Sequence, residues 1–344
     1  MKWLLVAVLT SLTIFSALTQ SHLLHGSPVN SLCADLIHPA NYSCTEHSIQ
    51  TKDGYILALQ RVASLGPRLQ SGPPVLLQHG LFMAGDVWFL NSPKESLGFI
   101  LADHGFDVWV GNVRGTRYSY GHVTLSDTDK EFWDWSWQDL AMYDLAEMIQ
   151  YLYSISNSKI FLVGHSQGTI MSFAALTQPH VAEMVEAAAL LCPISYLDHV
   201  TAPLVERMVF MHLDQIEYYL DYEPHPSSVK NIRHLFQMIR KGTFAQYDYG
   251  YFKNLRTYGL SKPPEFILSH IPASLPMWMG YGGTDGLADV TDVEHTLAEL
   301  PSSPELLYLE DYGHIDFVLG SSAKEDVYKH MIQFFRAKVK SSSW

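Results

Sequence analysis

Short apolar runs alternate with longer amphipathic stretches along most of the chain. The runs that have the length of buried strands are 75–77, 106–110, 160–163, 187–191, 277–279 and 306–309. The stretches between them carry apolar residues at helical spacing, most clearly in 140–152 and, after the last run, in 327–335. This alternation predicts a mostly parallel β-sheet with helices on both faces.

Two segments depart from that alternation. From 45 to 62 the polarity alternates around Asp53-Gly54, a dipeptide suited to a tight turn, so a β-hairpin is predicted ahead of the parallel strands. Between 197 and 272 the strand-like runs stop, while Tyr, Phe and Met become frequent. We expect this segment, called the insert below, to be a cap that lies over the carboxyl edge of the sheet.

The amino terminus has the pattern of a secretory signal peptide. Lys2 is followed by the uncharged apolar run 4–15 and by a short zone, 16–19, suited to cleavage. The alternative is a membrane anchor, but a helix that spans a bilayer needs about 20 apolar residues. The predicted organisation is therefore a signal peptide (1–20), a first part of the core (21–196), the insert (197–272) and a second part of the core (273–344), with no transmembrane anchor.

Composition narrows the classes of partner. A chain of 344 residues that is 47% hydrophobic can bury enough surface for one large domain. Its formal net charge is −13 and its Lys and Arg residues are scattered. The chain as a whole therefore lacks the basic footprint of a protein that binds nucleic acid or anionic membranes. The oligomeric state stays open.

The three cysteines fit an exported protein. Cys33 and Cys44 flank a short loop after the predicted signal, and a disulfide there would contribute somewhat under about 3 kcal/mol in an oxidising compartment. Cys192 is left over at the end of an apolar run, and we expect a buried strand residue there rather than a reactive thiol. Asn41 opens a glycosylation sequon. The expected location is extracellular, vacuolar or lysosomal.

A nucleophile motif lies between a predicted strand and a predicted helix. The sequence GHSQG at 164–168 matches G-x-S-x-G, follows the run 160–163 and precedes the helix-forming stretch 169–176. In that context the motif presents a serine hydroxyl over a helix amino terminus. We therefore predict that Ser166 is the nucleophile of an α/β-hydrolase fold. The alternative is that Ser166 is only a turn residue.

A serine hydroxyl needs a base to take its proton, and the base needs an acid to align it. In this fold the chain order is Ser, then Asp or Glu, then His. Asp285 follows the run 277–279 and His314 follows 306–309, each where a strand opens into a loop. We predict that Asp285 is the orienting acid and His314 the general base. The competing acids are Asp198, Asp289, Asp311 and Asp316.

The oxyanion of an acyl-transfer intermediate needs backbone donors. In this fold they come from the residue after the nucleophile and from the loop after an earlier strand, which here are Gln167 and Leu81. The sequence has neither the zinc motifs of the His-Glu-x-x-His and paired-cysteine types nor a Gly-rich phosphate loop. We expect no cofactor and no metal.

Several segments together resemble the acid lipase family, which comprises gastric and lysosomal lipases and their plant relatives. They are 51–57 (TKDGYIL), 78–81 (QHGL), 105–109 (GFDVW), 111–115 (GNVRG), 164–168 (GHSQG), 282–289 (GGTDGLAD) and 312–317 (YGHIDF). The local pattern, including Cys33 and Cys44, is most similar to plant triacylglycerol lipases. The resemblance implies hydrolysis of triacylglycerols or steryl esters, with a lipid ester or a lipid–water interface as partner. It also implies the roles given above for Ser166, Asp285, His314, Leu81 and Gln167.

The insert departs from the pattern of that family. In these lipases several dozen further residues lie between the regions that here meet at 212–215 and 216–220, so this chain has a shortened cap. Such a cap normally covers an acyl groove, and its loss exposes apolar surface or relaxes the selection of chain length. The remaining aromatic residues of the insert fit an acyl groove and a packed core equally well: Phe236, Phe244, Tyr247, Tyr249, Tyr251 and Phe252.

Three functions remain after this comparison. The leading one is a secreted ester hydrolase with a preference for lipids, and the nearest rival is a short-chain carboxylesterase. The third is a protein with a shortened cap that binds lipid or a partner without turnover, although the complete set of catalytic residues argues against it.

Overall fold

A single β-sheet runs through the centre of the protein. The computed structural model describes residues 31–64, 72–201 and 216–339, and within these residues the sheet has nine strands. They are β1 (Ser43–Gln50), β2 (Tyr55–Ala63), β3 (Pro74–Gln78), β4 (Asp107–Gly111), β5 (Gly121–His122), β6 (Ile160–His165), β7 (Val185–Leu191), β8 (Met277–Gly282) and β9 (Glu305–Leu309). The order is β1-β2-β4-β3-β6-β7-β8-β9, with β5 beside β2.

The strands from β4 to β9 along this order are parallel, whereas β2 pairs antiparallel with β1, β4 and β5. Every residue of β3, β4 and β6 is buried, so both faces of the central sheet are covered. Each apolar run predicted to be a strand forms one of the parallel strands. The predicted fold, a mostly parallel sheet of the α/β class, is confirmed.

The helices connect the parallel strands. They are α1 (Leu97–Asp103), α2 (Trp137–Asp139, continued by a π-helical stretch Leu140–Leu145 and by Ala146–Ser156), α3 (Gln167–Leu176), α4 (Pro179–Ala182), α5 (Ile216–Tyr222), α6 (Val229–Lys241), α7 (Tyr251–Tyr258), α8 (Val290–Glu299), α9 (Asp316–Leu319) and α10 (a π-helical stretch Lys324–Tyr328 continued by Lys329–Lys338). Helices α2 and α10 contain the two stretches of helical spacing read from the sequence. Within the described ranges, no helix combines the length and the apolar character needed to span a bilayer.

The amino-terminal part of the described chain is a hairpin with a disulfide at its base. Strands β1 and β2 pair around a turn in which Gly54 has a φ of 98°, as the Asp53-Gly54 dipeptide predicts. Cys33 and Cys44 form a disulfide, with their Cα atoms 5.3 Å apart, so the predicted pairing is confirmed. Asn41 of the sequon is exposed. The predicted signal peptide, 1–20, lies outside the described residues.

The insert lies between β7 and β8 and contributes α5, α6 and α7. Residues 202–215 of the insert lie outside the described part. Three aromatic rings stack where the core and the insert meet. The ring centre of Trp137, in α2, lies 4.3 Å from that of His234 and 5.5 Å from that of Phe244. Phe244 is buried, whereas Tyr251 and Phe252 are exposed. The aromatic residues of the insert therefore divide between a packed core and the protein surface.

A buried ion pair network joins the hairpin to α2. Arg114 follows β4 and is 1% exposed; its guanidinium donates to the carboxylates of Asp53, in the hairpin turn, and Asp144, in α2. Asp144 is completely buried, and it also accepts the backbone N–H of Arg114 at 2.9 Å. The guanidinium lies 3.7 Å from the ring centre of Tyr55. One cation thus fixes three elements that are distant in the sequence.

Substituting Arg114→Met is expected to lower the free energy of unfolding by about 3–5 kcal/mol, because the Asp144 carboxylate would stay buried without its counter-ion. A matched control is Lys52→Met. Lys52 lies on the same hairpin turn, and its ammonium group pairs with the carboxylate of Glu147 in α2. Lys52 is 76% exposed, so its loss should change stability by less than about 1 kcal/mol. Urea unfolding of both variants measures the difference, and equal losses would contradict the structural role assigned to Arg114.

Candidate active site

Ser166 lies on a sharp turn between β6 and α3. Its backbone angles are φ 56° and ψ −122°, a conformation that L-amino acids rarely adopt and that is stabilised only by the surrounding structure. Two glycines allow the close packing of this turn. A Cβ atom on Gly168 would lie 2.5 Å from the carbonyl oxygen of Gln78, and one on Gly80 would lie 2.9 Å from Cβ of Ser166. The strand, turn and helix predicted around Ser166 are all present.

Three side chains meet at the carboxyl edge of the sheet. Nε2 of His314 lies 2.7 Å from Oγ of Ser166, and Nδ1 of His314 lies 2.8 Å from Oδ2 of Asp285. Ser166 follows β6, Asp285 lies in the loop after β8, and His314 lies in the loop after β9. The structure therefore brings together all three side chains that the sequence predicted, with the imidazole between the hydroxyl group and the carboxylate.

The Asp285 carboxylate is held by the loop that follows β8. Its Oδ1 atom accepts the backbone N–H groups of Leu287 and Ala288, both at 2.9 Å. Burial opposes the ionisation of this carboxyl group, but the His314 imidazole and these hydrogen bonds lower the pKa of Asp285 to about 2. The group is therefore ionised at any pH above about 4, so it can align the Nδ1–H of His314.

The loop that carries His314 is fixed by its backbone. The carbonyl oxygen of His314 accepts a hydrogen bond from Nε2 of His165 at 3.0 Å and one from Sγ of Cys192 at 3.4 Å. The N–H of Gly313 donates to the carboxylate of Asp316 at 2.7 Å. Burial lowers the pKa of His165 to about 3, so this imidazole is neutral and carries its proton on Nε2.

Sequence reasoning missed two of these supporting residues. His165 occupies a variable position of the G-x-S-x-G motif, so the motif gave no reason to single it out. Cys192 was expected to be a buried strand residue; it is buried, but it lies one position beyond β7 with a φ of 52°, beside the site. The available signal was its position directly after a buried strand, where such sheets place functional groups.

The acids that competed with Asp285 have other positions. Asp289 caps α8 by accepting the N–H of Thr291, and Asp316 accepts the N–H of Gly313. Asp198 lies against Gly242 at the end of α6. Asp311 contributes its backbone carbonyl as an acceptor for Thr284. Among the predicted candidates, Asp285 is the one whose carboxylate hydrogen-bonds to His314.

The two predicted oxyanion donors belong to chain segments next to Ser166. Gln167 is the first residue of α3, so its N–H has no partner within the helix. Leu81 follows Gly80, which packs directly against Ser166. The side chain of Gln167 is buried and its Oε1 atom accepts a hydrogen bond from Asn231 of α6 at 2.8 Å. The insert therefore contacts the residue next to the nucleophile.

Two clusters in the described part of the chain bring three metal-ligand atoms within 4.8 Å of one another. One consists of Cys192 with the two partners of Ser166, and the other of Asp86, Glu223 and His225. In the first, His314 is already engaged by Ser166 and Asp285. In the second, Asp86 and His225 hydrogen-bond to each other at 2.8 Å. The third member of that cluster, Glu223, has no such partner among the described residues.

A surface cavity of about 580 Å³ lies away from this site. Its lining includes Pro74, Asp107 and Lys159, which lie at or next to the amino-terminal ends of parallel strands. Ser166 lies at the opposite edge. We place the candidate site at the carboxyl edge because Ser166, His314 and Asp285 meet there.

Two family models match the chain. One, described as a partial α/β-hydrolase lipase region, matches residues 33–92. The other, described as the α/β hydrolase fold, matches residues 73–321. The chain belongs to the α/β-hydrolase family.

Relatives of this family member are lipases. Triacylglycerol lipase 1 of Arabidopsis thaliana is 88% identical over 393 residues, covering 100% of both chains. Triacylglycerol lipase 2 of the same plant is 33% identical, covering 89% of this chain and 87% of its own. The tear acid lipase-like protein of Mesocricetus auratus is 31% identical, covering 84% and 86%. The resemblance to acid lipases is confirmed.

Solved structures share the fold at low sequence identity. A putative lipase from Sulfolobus solfataricus has a TM-score of 0.55 at 18% identity, covering 87% of this chain and 95% of its own. A carboxylesterase of Nitrososphaera gargenis has a TM-score of 0.56 at 15% identity, covering 85% and 98%. These likenesses support the α/β-hydrolase fold.

The alignment with triacylglycerol lipase 1 of Arabidopsis thaliana contains positions that this chain lacks. An alignment of 393 positions against 344 residues leaves 49 positions without a counterpart in this chain. Since 344 matches in 393 positions amount to 88%, the observed identity is the maximum that this chain can reach. The two sequences therefore agree wherever this chain has a residue.

Substituting Asp285→Asn is expected to slow acylation of Ser166 by about 10³- to 10⁴-fold, because an amide does not hold the His314 tautomer that accepts the serine proton. The measurement is the rate of labelling by a fluorophosphonate probe, with thermal unfolding to verify the fold. Asp289→Asn is the matched control, since Asn also caps helices and should leave the rate unchanged. Similar rates for the two variants would contradict the role of Asp285.

Proposed function

We propose that this protein hydrolyses carboxylic esters of lipids through an acyl-enzyme on Ser166. The observation that carries the proposal is the continuous hydrogen-bonded series Ser166, His314, Asp285, with contacts of 2.7 and 2.8 Å. A serine, an imidazole and a buried carboxylate in this order activate an alcohol for attack on a carbonyl carbon. Secretion, substrate and the roles of individual residues belong to this proposal.

Acylation begins when the Ser166 oxygen attacks the ester carbonyl while His314 takes its proton on Nε2. The Asp285 carboxylate stabilises the imidazolium that forms, because it accepts Nδ1–H and is already ionised. The negative charge on the former carbonyl oxygen is stabilised by the N–H groups of Leu81 and Gln167. Each such donor accounts for about 10²- to 10³-fold in rate.

Collapse of the tetrahedral intermediate releases the alcohol and leaves the acyl group on Ser166. His314 gives the proton on its Nε2 atom to the departing alkoxide, so that a neutral alcohol leaves. In the second half of the reaction a water molecule attacks the acyl carbon while His314 removes its proton. The bond from the acyl carbon to Ser166 then breaks, His314 returns the proton to Oγ of Ser166, and the fatty acid is released. All proton transfers pass through the one imidazole.

The substrate class follows from the relatives and from the surface of the insert. Curated relatives of this chain are named triacylglycerol lipases. We infer triacylglycerols or steryl esters as substrates, with short-chain esters as the alternative. We infer that the 49 positions that this chain lacks belong to the junction between 215 and 216, inside the insert, and we expect their absence to relax the selection of acyl-chain length.

Helix α7 of the insert offers a surface for contact with lipid. Four of its apolar side chains, or those of the turn after it, are exposed by 41–84%: Tyr251, Phe252, Leu255 and Leu260. Lys253, Arg256 and Lys262 lie among them, and the stretch 249–264 has no acidic residue, although the whole chain has a net charge of −13. Lys and Arg are scattered over the whole chain, but these three lie close together in the sequence. We call this surface the α7 face.

The α7 face is held rigidly. Asn254, which is buried, donates from its side chain to Asp248 at 2.7 Å and to the carbonyl of Ser261 at 3.2 Å, and it accepts the N–H of Tyr249 at 2.9 Å. The hydroxyl of Tyr258 donates to the carbonyl of Tyr247. A fixed display of apolar side chains flanked by cations suits an amphipathic boundary such as a lipid–water interface.

Export through the secretory pathway fits the covalent structure. The Cys33–Cys44 disulfide persists in oxidising compartments, and Asn41 is exposed for glycosylation. Together with the apolar amino terminus, these features support a protein that is secreted or delivered to a vacuole or lysosome.

Hydrolysis of p-nitrophenyl esters with two to sixteen carbons tests the substrate class. We expect the highest kcat/KM at eight carbons or more, because a longer acyl chain transfers more apolar surface from water. A maximum at two to four carbons would instead identify a short-chain esterase. Ser166→Ala is the control: it should abolish both turnover and fluorophosphonate labelling. Equal labelling of the two proteins would contradict the assignment of Ser166, and a wild-type protein that binds lipid but shows neither labelling nor turnover would be a lipid-binding protein.

Contact through the α7 face is tested by sedimentation with phospholipid vesicles in the Ser166→Ala background, where no lipid is consumed. Adding Phe252→Ser and Leu260→Ser should weaken binding tenfold or more, since a buried Phe or Leu side chain contributes about 1.5–3 kcal/mol. Ile155→Ser is the matched control; Ile155 is 47% exposed at the end of α2, where it lines the surface cavity at the amino-terminal ends of the parallel strands. Equal effects would exclude the α7 face as the site of contact.

A further inference from the structure

The insert is attached to the oxyanion loop by one backbone hydrogen bond. The N–H of His225 donates to the carbonyl oxygen of Phe82 at 2.7 Å. Phe82 follows Leu81 directly and has a φ of 61°, so the loop is strained at the point of attachment. Any displacement of 225 is therefore transmitted to the residue that carries a proposed oxyanion donor.

The position of His225 is fixed by its side chain. Its Nδ1 atom accepts the N–H of Arg117 at 3.1 Å, so the proton must be on Nε2. Nε2 in turn donates to Oδ2 of Asp86 at 2.8 Å, and both side chains are completely buried. Asp86 also accepts the hydroxyl of Tyr118 at 3.2 Å and the N–H of Val87 at 3.0 Å. Both ring nitrogens of the imidazole are thus hydrogen-bonded.

Glu223 brings a second carboxyl group to the same place. Both of its oxygens are buried, and neither has a hydrogen bond of normal geometry among the described residues. Ligand atoms of Asp86, Glu223 and His225 lie within 4.8 Å of one another. The guanidinium of Arg117 is turned instead to the carbonyls of Tyr222 and Pro224, at 2.6 and 2.9 Å. We call Asp86, Glu223 and His225 the junction cluster.

Two carboxyl groups that are buried and lie this close together cannot both be ionised without a large cost in free energy. Burial and the neighbouring Asp86 raise the pKa of Glu223 well above its ordinary value of 4.5, against a weaker opposing effect of the Ala84 N–H and of Arg117. Burial also opposes the ionisation of Asp86, but His225 and its hydrogen bond lower the pKa of Asp86 below the usual range. Asp86 therefore holds the charge and Glu223 holds the proton.

We propose that the junction cluster is a pH-dependent positioning device for the oxyanion loop, in which the protonated carboxyl of Glu223 keeps His225 attached to Phe82 and its ionisation loosens that attachment. The inference rests on the proposed function, because Leu81 matters only if an oxyanion forms beside Ser166. Asp86, Glu223 and His225 act here as positioning residues and do not contact the substrate.

The pH dependence of this attachment follows from the ionisation of Glu223. A carboxyl group whose pKa is raised in the folded protein imposes no cost below its ordinary value, here 4.5, because it is protonated in both states. Above that pH the cost of keeping Glu223 protonated, or of ionising it beside Asp86, grows as the pH rises. Within the described residues, the ionisable groups around Glu223 are Asp35, His79, Asp86, Arg117, Tyr118, Tyr218, Tyr222 and His225. The attachment is therefore strongest in acid.

Glu223→Gln is the variant that tests this proposal, because a neutral amide replaces a carboxyl group that is proposed to be neutral. The measurement is kcat and KM on a soluble ester from pH 4 to 9. Wild-type kcat should fall on the alkaline side, and the variant should retain about tenfold more of its acid-side kcat there, with KM nearly unchanged. One displaced oxyanion donor accounts for a loss of this size or greater.

Controls separate this effect from a general change of stability. Glu223→Met, which is also neutral, should shift the profile in the same direction, so that the test does not depend on one variant folding. Glu183→Gln, on an exposed side chain far from the cluster, should leave the profile unchanged. His225→Gln should lower kcat at every pH. Dialysis against EDTA should have no effect; a profile that responds to it would overturn the proposal, because a cation would then neutralise the cluster.

The outcomes for the two proposals are distinct. If wild-type Ser166 reacts with a fluorophosphonate but Glu223→Gln and wild type have superimposable pH profiles, the positioning role of the junction cluster is wrong and the proposed function stands. If Ser166 does not react at any pH, the proposed function fails, and this inference fails with it.

Discussion

The hydrogen bond between Ser166 and His314 joins residues that are 148 positions apart, and the rest of the site depends on it. It forms because β6, β8 and β9 are parallel strands of one sheet and so open into loops at the same edge. The buried strands fix where each loop starts, and backbone hydrogen bonds at Asp285 and His314 fix where it goes. The strain at Ser166, of the order of 1–3 kcal/mol, persists because β6 and α3 are buried on both sides of the turn.

The insert also helps to hold the residues around Ser166 in place. Asn231 hydrogen-bonds to the side chain of Gln167, and His225 hydrogen-bonds to the carbonyl of Phe82, so both sides of the proposed oxyanion hole contact the insert. Arg117 reinforces the second contact by donating to two carbonyls of the insert. A chain that lacks 49 positions of its relative therefore still has the contacts that couple the insert to the site.

The sequence predicted those features that have a local signal. Apolar runs identified the parallel strands, Asp53-Gly54 identified the hairpin, and the position of Asp285 and His314 after strands identified the partners of Ser166. It did not predict contacts that depend on which side chains meet across the fold. Cys192 and His165 converge on one carbonyl from two different strands, and Glu223 meets Asp86 from 137 positions away; neither spacing nor polarity marks such pairs. The sequence also could not show that Phe252 is exposed and Phe244 is buried, because both are aromatic residues of the same segment.

The location of the insert has an evolutionary consequence. Strands β7 and β8 are hydrogen-bonded neighbours, so the sheet is complete beneath the insert whatever its length. Since each doubling of a flexible connection costs only about 0.6 kcal/mol in chain entropy, residues can be added or removed there without loss of the underlying architecture. The cover over the site can then change in length while the sheet that carries Ser166, Asp285 and His314 keeps its strand order.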